Sequence, residues 1–459
     1  SPLSPAWESG SGGEGSPAAR ESGPGGEGSP PAIELALDYA HAGLFADAAN
    51  LLKLAEGDPL AGYILGWVYL QADESEPAKL AFERAAALPP DYCFPHRLVD
   101  VLSLEAAMRH NPDDARAPYY LGNFWYAHRR YAEAIACWEH ARALDQSFAT
   151  THRNLGLAYY NKLNDPARAL QSLETAFALN TGDARVLFEL DQLYKKLNRA
   201  PEQRLALLEQ HASLVESRDD LTIERISLLN LLGRPEDAFQ ILAGRTFHPW
   251  EGGEGKVTGQ YVTSLVELAR RAIQHGQYAE AIAQLEQAQT YPHNLGEGKL
   301  YGAQENNIFY ELGRAYAGLG DAERAQAAFT RASTGLSEPT SAMFYNDQPP
   351  DMIFYQGLAR RALGQEAQAR AIFQKLVDYG QSRMDDDVTI DYFAVSLPDF
   401  LVFDEDLKAR NRTHCHYMIA LGSAGLGARE QAEAHYAEVL RLDAAHQGAT
   451  LHRRLLNRL

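Results

Sequence analysis

The sequence predicts an all-α fold: a right-handed α-solenoid of about ten stacked helix pairs, with loops inserted between the later pairs and a disordered Gly/Ser/Pro-rich tail in front. Three observations predict it. A Leu-Gly pair at Leu121-Gly122 returns 34 residues on as Leu155-Gly156, with an aromatic three places after each glycine, Trp125 and Tyr159. An alanine recurs at one register of the second helices, with one exception near Arg204. From Ala238 onward the alanine-to-alanine spacing widens to 43, 44, 44 and 63 residues, so extra chain enters at one repeated junction.

Residues 1–32 form the tail. ESGSGGEGSP at Glu8 recurs as ESGPGGEGSP at Glu21, and such a segment buries too little apolar surface to offset its ordering entropy. The solenoid is expected to run on as one continuous stack, with a regular array over 33–245 and a loop-rich array over 246–459. The second-helix alanines are Ala48, Ala78, Ala134, Ala169, Ala238, Ala281, Ala325, Ala369 and Ala432. A degenerate unit near Arg204 lacks the alanine, so its helices are expected to pack less closely. Between Ala78 and Ala134 there is room for one extra helix, LVDVLSLEAAM, after the turn-forming PPDYCFPH. Two antiparallel helices approach closely only where a small side chain faces a large one, and no pair hides its own apolar face, so each stacks on the next. These Leu-Gly, aromatic and alanine positions resemble the tetratricopeptide repeat (TPR) family, over roughly 33–450.

The widened junctions hold four inserts: FHPWEGGEGKVTG, YPHNLGEGKLYG, EPTSAMFYNDQPP and MDDDVTIDYFAVSLPDFLVF. Equivalent junctions of a solenoid lie on one edge, so the inserts predict a contiguous rim, with the two GEGK loops side by side. Rigid aromatics next to amides, His and carboxylates suit a sugar or a polar peptide. The expected ligand-binding residues are His248, Trp250, Glu251, Lys256, Gln260, Lys299, Gln304, Glu305, Asn306, Asn307, Tyr345, Asn346, Asp347, Gln348, Asp391, Tyr392 and Asp399. Glycine amides at a helix start, with Lys256 and Lys299, suit a carboxylate or other anion. Gln260 and the run Gln304–Asn307 fall at the start of first helices, where amides either read a peptide or cap the helix.

Other chemistries are weaker. A nucleotide loop needs Ser or Thr after the lysine, and here Val257 and Leu300 follow. No metal-ligand spacing is present; His414 and His416, two apart on a helix, point to different faces. Glycosidic chemistry needs two facing carboxylates, and Glu251, Glu254, Glu297, Glu305, Asp347, Asp391 and Asp399 supply candidates without a pattern. No catalytic residue and no cofactor is assigned. The net charge of −19 disfavours nucleic acid and anionic membranes as partners. Cys93, Cys137 and Cys415 read as reduced core thiols, which points to a cytoplasmic setting. The chain opens on Ser1 without a signal segment and reads as a piece of something longer.

The phrases YCFPHRL, DARAPYYLGNFWY, FHPWEGGEGKVTGQY, NLGEGKLYGAQEN, AMFYNDQPPDMIFYQG and DYFAVSLPDFLVF resemble a bacterial family of large proteins. In that family an uncharacterised β-sandwich region of carbohydrate-protein type precedes a helical-repeat half. The resemblance implies that this chain is the repeat half of a protein that handles carbohydrate. Two functions are therefore expected. The first is a non-catalytic scaffold that binds a protein partner, or its own N-terminal β-sandwich domain, through the concave groove and the 247–404 rim. The alternative is part of a carbohydrate-active or carbohydrate-binding protein whose rim contributes to a sugar site.

Overall fold

The structure, a computed structural model, describes residues 29–250, 252–341, 349–388 and 401–456. By its contacts the chain resolves into two compact units, one extending through Leu190 and one beginning at Asp191.

The first unit contains α1 (Ser29–His41), α2 (Phe45–Leu52), α3 (Pro59–Gln71), α4 (Ser75–Ala86), α5 (Leu98–His110), α6 (Arg116–Ala127), α7 (Tyr131–Leu144), α8 (Ala149–Leu163) and α9 (Pro166–Leu179). α10 (Ala184–Lys196) contributes its residues up to Leu190. The expected extra helix is α5. Its start is fixed by Asp100, whose carboxylate accepts the backbone N–H groups of His96 at 2.9 Å and Arg97 at 2.8 Å. Close packing explains the periodic glycines. A Cβ on Gly122 would come 2.5 Å from the Trp138 indole, and one on Gly156 would come 2.7 Å from Leu173. The hole is thus filled from the second helix. Trp125, expected to fill it, is only partly buried and instead carries the Arg130 guanidinium 4.3 Å above its ring.

The second unit continues with α11 (Pro201–Gln210), α12 (Ala212–Glu216), α13 (Asp219–Leu231), α14 (Pro235–Gly244), α15 (Lys256–Gln274), α16 (Tyr278–Ala288), α17 (Asn306–Gly318), α18 (Ala322–Ala332), α19 (Pro350–Ala362), α20 (Glu366–Arg383), α21 (Leu407–Leu426), α22 (Arg429–Leu442) and α23 (Gln447–Leu455). Among the described residues every helix but α5, α12 and α23 belongs to an antiparallel pair, which gives the expected ten pairs. All nine predicted alanines lie on second helices and are at most 5% exposed. At the degenerate unit the alanine is replaced by Arg204, itself 1% exposed. Its guanidinium grips Asp191 at 2.9 and 2.7 Å and Glu224 at 3.0 Å, so an ion pair takes the place of the small-residue contact.

The ends of the second unit meet. The Asn198 side chain donates to the Leu442 carbonyl at 3.0 Å and accepts the Ala444 N–H at 3.1 Å. α23 then returns across the first helices of earlier pairs. Gln447 pairs amide to amide with Gln260 of α15 at 3.0 Å, and Arg454 donates to the Leu231 carbonyl of α13 at 2.7 Å. Ala449 and Leu456 join a buried cluster with Tyr355, Phe373 and Tyr436. The three cysteines are free. Cys93 and Cys415 are buried, while Cys137 is only partly so, which corrects its expected place in the core.

Candidate functional site

The first two inserts do lie against each other. The Phe247 N–H donates to the Asn294 carbonyl at 2.8 Å, and the Asn294 amide returns two bonds to the Leu242 and Arg245 carbonyls at 2.8 and 2.7 Å. Gly296 has a φ of +78°, and a Cβ there would come 2.5 Å from the Phe247 oxygen. The anion held by the first glycine loop is supplied from within. Glu297 of the second GEGK loop accepts the Gly255 N–H at 3.0 Å, at the start of α15.

Of the other expected residues that the structure describes, Lys299, Glu305 and Asn306 are likewise engaged inside the protein. His248 is exposed and lies 3.3 Å from Asp219, and the Trp250 indole covers Gly253. Lys256 is exposed at the α15 start. Lys299 donates to the Gln289 carbonyl at 3.0 Å and to Glu305 at 2.5 Å. Gln304 lies beside Gly335. Asn306 ties α17 to the end of α18, donating to the Ala332 and Thr334 carbonyls at 2.8 and 2.7 Å. Glu251, Tyr345, Asn346, Asp347, Gln348, Asp391, Tyr392 and Asp399 fall outside the described residues, as does most of the fourth insert.

A feature with convergent polar chemistry lies elsewhere, where α23 crosses the second unit. A cavity of about 330 Å³ is bounded by α15, α17, the α19 start, α21 and α23. Of the expected residues that are described, Asn307 lines it outright, while Gln260 reaches it through Gln447. One chain of bonds runs along its wall. Arg270 of α15 pairs with Glu311 at 2.8 Å and also with Glu267, and it donates to the Tyr355 hydroxyl. Tyr355 contacts His452 Nε2 at 2.8 Å, and His452 Nδ1 lies 2.7 Å from the Gly448 carbonyl and 2.9 Å from the Tyr417 hydroxyl. The carbonyl requires the proton on Nδ1, so Nε2 accepts from Tyr355. His414 turns Nε2 to the Thr340 carbonyl at 2.9 Å, whereas His416 meets His435 at 2.8 Å, so these two do face apart.

Burial sets the charges here. It pushes His452 down to about 3, with Arg270 adding to the effect, and it also lowers His414 and His446. It would depress Arg270 too, but Tyr355, Glu267 and Glu311 outweigh it and hold the guanidinium charged. Asp351 is raised to about 6 by burial. His452 is protonated less readily when folded than when unfolded, where its pKa is about 6.5, so its contribution to stability is intact above that pH and is lost towards pH 3. At pH 5 the loss is about 2 kcal/mol at ~1.4 kcal/mol per unit. Asp351 acts oppositely, because the folded state takes up its proton first and gains stability as pH falls through 6. Asp351→Asn is therefore expected to lose more melting temperature between pH 7 and pH 5 than the unaltered chain. Calorimetry at both pH values checks this; equal losses would mean that Asp351 titrates as it does unfolded.

Sequence reasoning missed Arg270, Asp351, Tyr355, Tyr417, His446 and His452. One signal was available for Arg270: it sits four residues after the buried Val266 and next to the buried Ala269, a charge on a core stripe. His452, between the buried Leu451 and Leu455, breaks an apolar stripe in the same way. Among the described residues no group of three or more His, Cys, Asp or Glu has the arrangement of a metal site, and no helix is long and apolar enough to cross a membrane.

Comparison with known proteins agrees with the helix pairing. A TPR repeat profile matches residues 126–162, and tetratricopeptide repeat profiles match 307–334 and 351–379. The latter two coincide with the α17–α18 and α19–α20 pairs. Similar solved structures include YrrB, a TPR protein with an unusual peptide-binding site (18% identity, 50% of this chain and 90% of that one, TM-score 0.28). Others are a tetratricopeptide repeat protein from Parabacteroides merdae (16%, 64% and 95%, TM-score 0.28) and Naa15/Naa10 bound to HypK-THB (13%, 77% and 51%, TM-score 0.39). By its profile matches and its paired helices, this chain carries tetratricopeptide repeats in both of its units.

Proposed function

We propose that this chain is a non-catalytic repeat scaffold that binds a protein partner, taking a helical segment of it on the first-helix face of the second unit. The observation that carries this reading is that the face holds a helix of the chain itself. α23 is anchored by apolar residues, Ala449, Leu451 and Leu455, all under 9% exposed. It is positioned by polar bonds at both ends, from Gln447 to Gln260 and from Arg454 to the Leu231 carbonyl. An apolar stripe with donors at fixed places is how a groove reads a helix, and a partner helix with the same pattern meets the same groups. The partner is a separate protein or the β-sandwich region of the resembled family, with the 247–404 rim as a second contact surface. A saccharide on that rim is the alternative, and oligosaccharide titration of a Trp250→Ala variant separates the two.

The test of the scaffold reading uses the full chain with Gly448→Val. A Cβ at Gly448 would come 2.5 Å from the Tyr417 hydroxyl, so the variant loosens α23. A labelled peptide of residues 445–459 is then added and followed by fluorescence anisotropy. Binding to the variant at about micromolar affinity, at least ~10-fold tighter than to the unaltered chain, is expected. A folded variant that does not bind the peptide removes the basis of this reading.

A further inference from the structure

We infer that the cavity beneath α23 is a binding site for an organic cation, an alkylammonium or guanidinium group that is either free or carried on a basic side chain. The first ground is charge. Arg270 and Arg314 are matched by Glu267 and Glu311, with Arg314 2.7 Å from Glu311. His414, His446 and His452 are held neutral by burial. Among the described residues Asp351 remains as one carboxylate in excess. It lines the cavity, and among the described residues no Lys, Arg or His side chain forms an ion pair with it.

The second ground is the wall. Tyr355 and Tyr417 line the cavity beside Pro349 and Pro350, with the Arg270 guanidinium 5.7 Å from the Tyr355 ring, and Asn307 and Thr263 add polar groups. A cation beside aromatic faces and a carboxylate is attracted by both, and more strongly where water is scarce. The third ground is exclusion. An anion would find Arg270 already committed to two glutamates and a tyrosine, and would meet the Asp351 charge. Calcium takes six or more oxygen ligands, and among the described residues no group of three or more His, Cys, Asp or Glu is arranged to hold a metal. A volume of about 330 Å³ lies at the small end of ligand pockets and suits a single such group. The site does not depend on displacement of α23, so it stands apart from the scaffold reading.

The experiment is calorimetric titration of the full chain with agmatine, n-butylammonium chloride and an acetylated, amidated Ala-Arg-Ala peptide, with sodium acetate as the anion control. At least one cation is expected to bind with submillimolar affinity and acetate not to bind. Asp351→Asn should weaken the cation at least ~10-fold, or ~1.4 kcal/mol, while raising the melting temperature at pH 7, because it removes a carboxylate held in poor solvent. Asp351→Glu, which keeps the charge, should retain binding. Preference for the peptide over the two small amines would assign the site to a partner's side chain, and the reverse to a free amine. The inference is overturned if none of the cations binds at about 10 mM, some four orders of magnitude above micromolar affinity, or if Asp351→Asn binds them as well as the unaltered chain does.

Discussion

Arg270→Met is expected to lower the melting temperature of the second unit by on the order of 10 °C. The guanidinium is 5% exposed and holds Glu311, Glu267 and the Tyr355 hydroxyl together. Methionine approximates its length and volume, so little of the loss comes from a cavity. The loss is electrostatic. Glu311, 1% exposed, keeps only Arg314, and the Tyr355 hydroxyl loses its charged donor. Breaking a buried pair from one side costs about 3–5 kcal/mol, and for a domain of this size each kcal/mol is about 2–4 °C. Arg324→Ala, which breaks an exposed pair with Asp321, serves as the control and should leave the melting temperature unchanged. Similar small losses in both variants would mean that the Arg270 network contributes positioning but little stability. Because Tyr355 links Arg270 to His452, the same variant should also loosen α23, read as faster amide exchange in residues 447–455.

Arg204→Ala is expected to destabilise the protein by about 3–5 kcal/mol, although it restores the small residue that the repeat pattern favours there. The pattern argument predicts a gain, because alanine is what every other second helix carries at this register. The structure reverses the sign. Asp191 is fully buried with Arg204 as its bidentate partner, and Glu224 is shared between Arg204 and Lys195. With alanine in place, Asp191 stays behind as a lone carboxylate and the space of a long side chain is left empty. Replacing both partners removes the uncompensated charge, so Arg204→Leu with Asp191→Leu should recover most of the loss. A urea-denaturation double-mutant cycle measures this. If the single and double variants are equally unstable, the ion pair is not what holds α11 in place.

The Arg204 position shows where sequence reasoning stops. Its departure from the repeat was visible, and looser packing was the natural expectation. What replaced the alanine could be known only once Asp191 and Glu224, 13 residues before and 20 residues after it, were seen around one guanidinium. The glycine loops behave in the same way. Their duplication and adjacency were legible because equivalent junctions of a stack lie on one edge. That Glu297 of the second loop would take the anion place of the first was not, since a motif does not say which of its own residues it will bind. The rim residues carried ligand-like chemistry, yet Lys299, Glu305 and Asn306 spend it on their neighbours.

By itself the sequence determined the all-α class, the ten helix pairs, the extra helix at Leu98–His110 and the register of the small residues. These follow from contacts between residues within about one repeat, where periodicity and side-chain size act directly. Only the tertiary structure decided that the second unit's ends meet at Asn198 and Leu442, that α23 returns across α13 and α15, and that Arg270, Asp351, Tyr355, Tyr417 and His452 gather around one cavity. The reason is geometric. Where a stack closes depends on small rotations accumulated over many repeats, and no local period records their sum. Residues as far apart as Arg270 and Tyr355, or Tyr355 and His452, become neighbours through that accumulation alone.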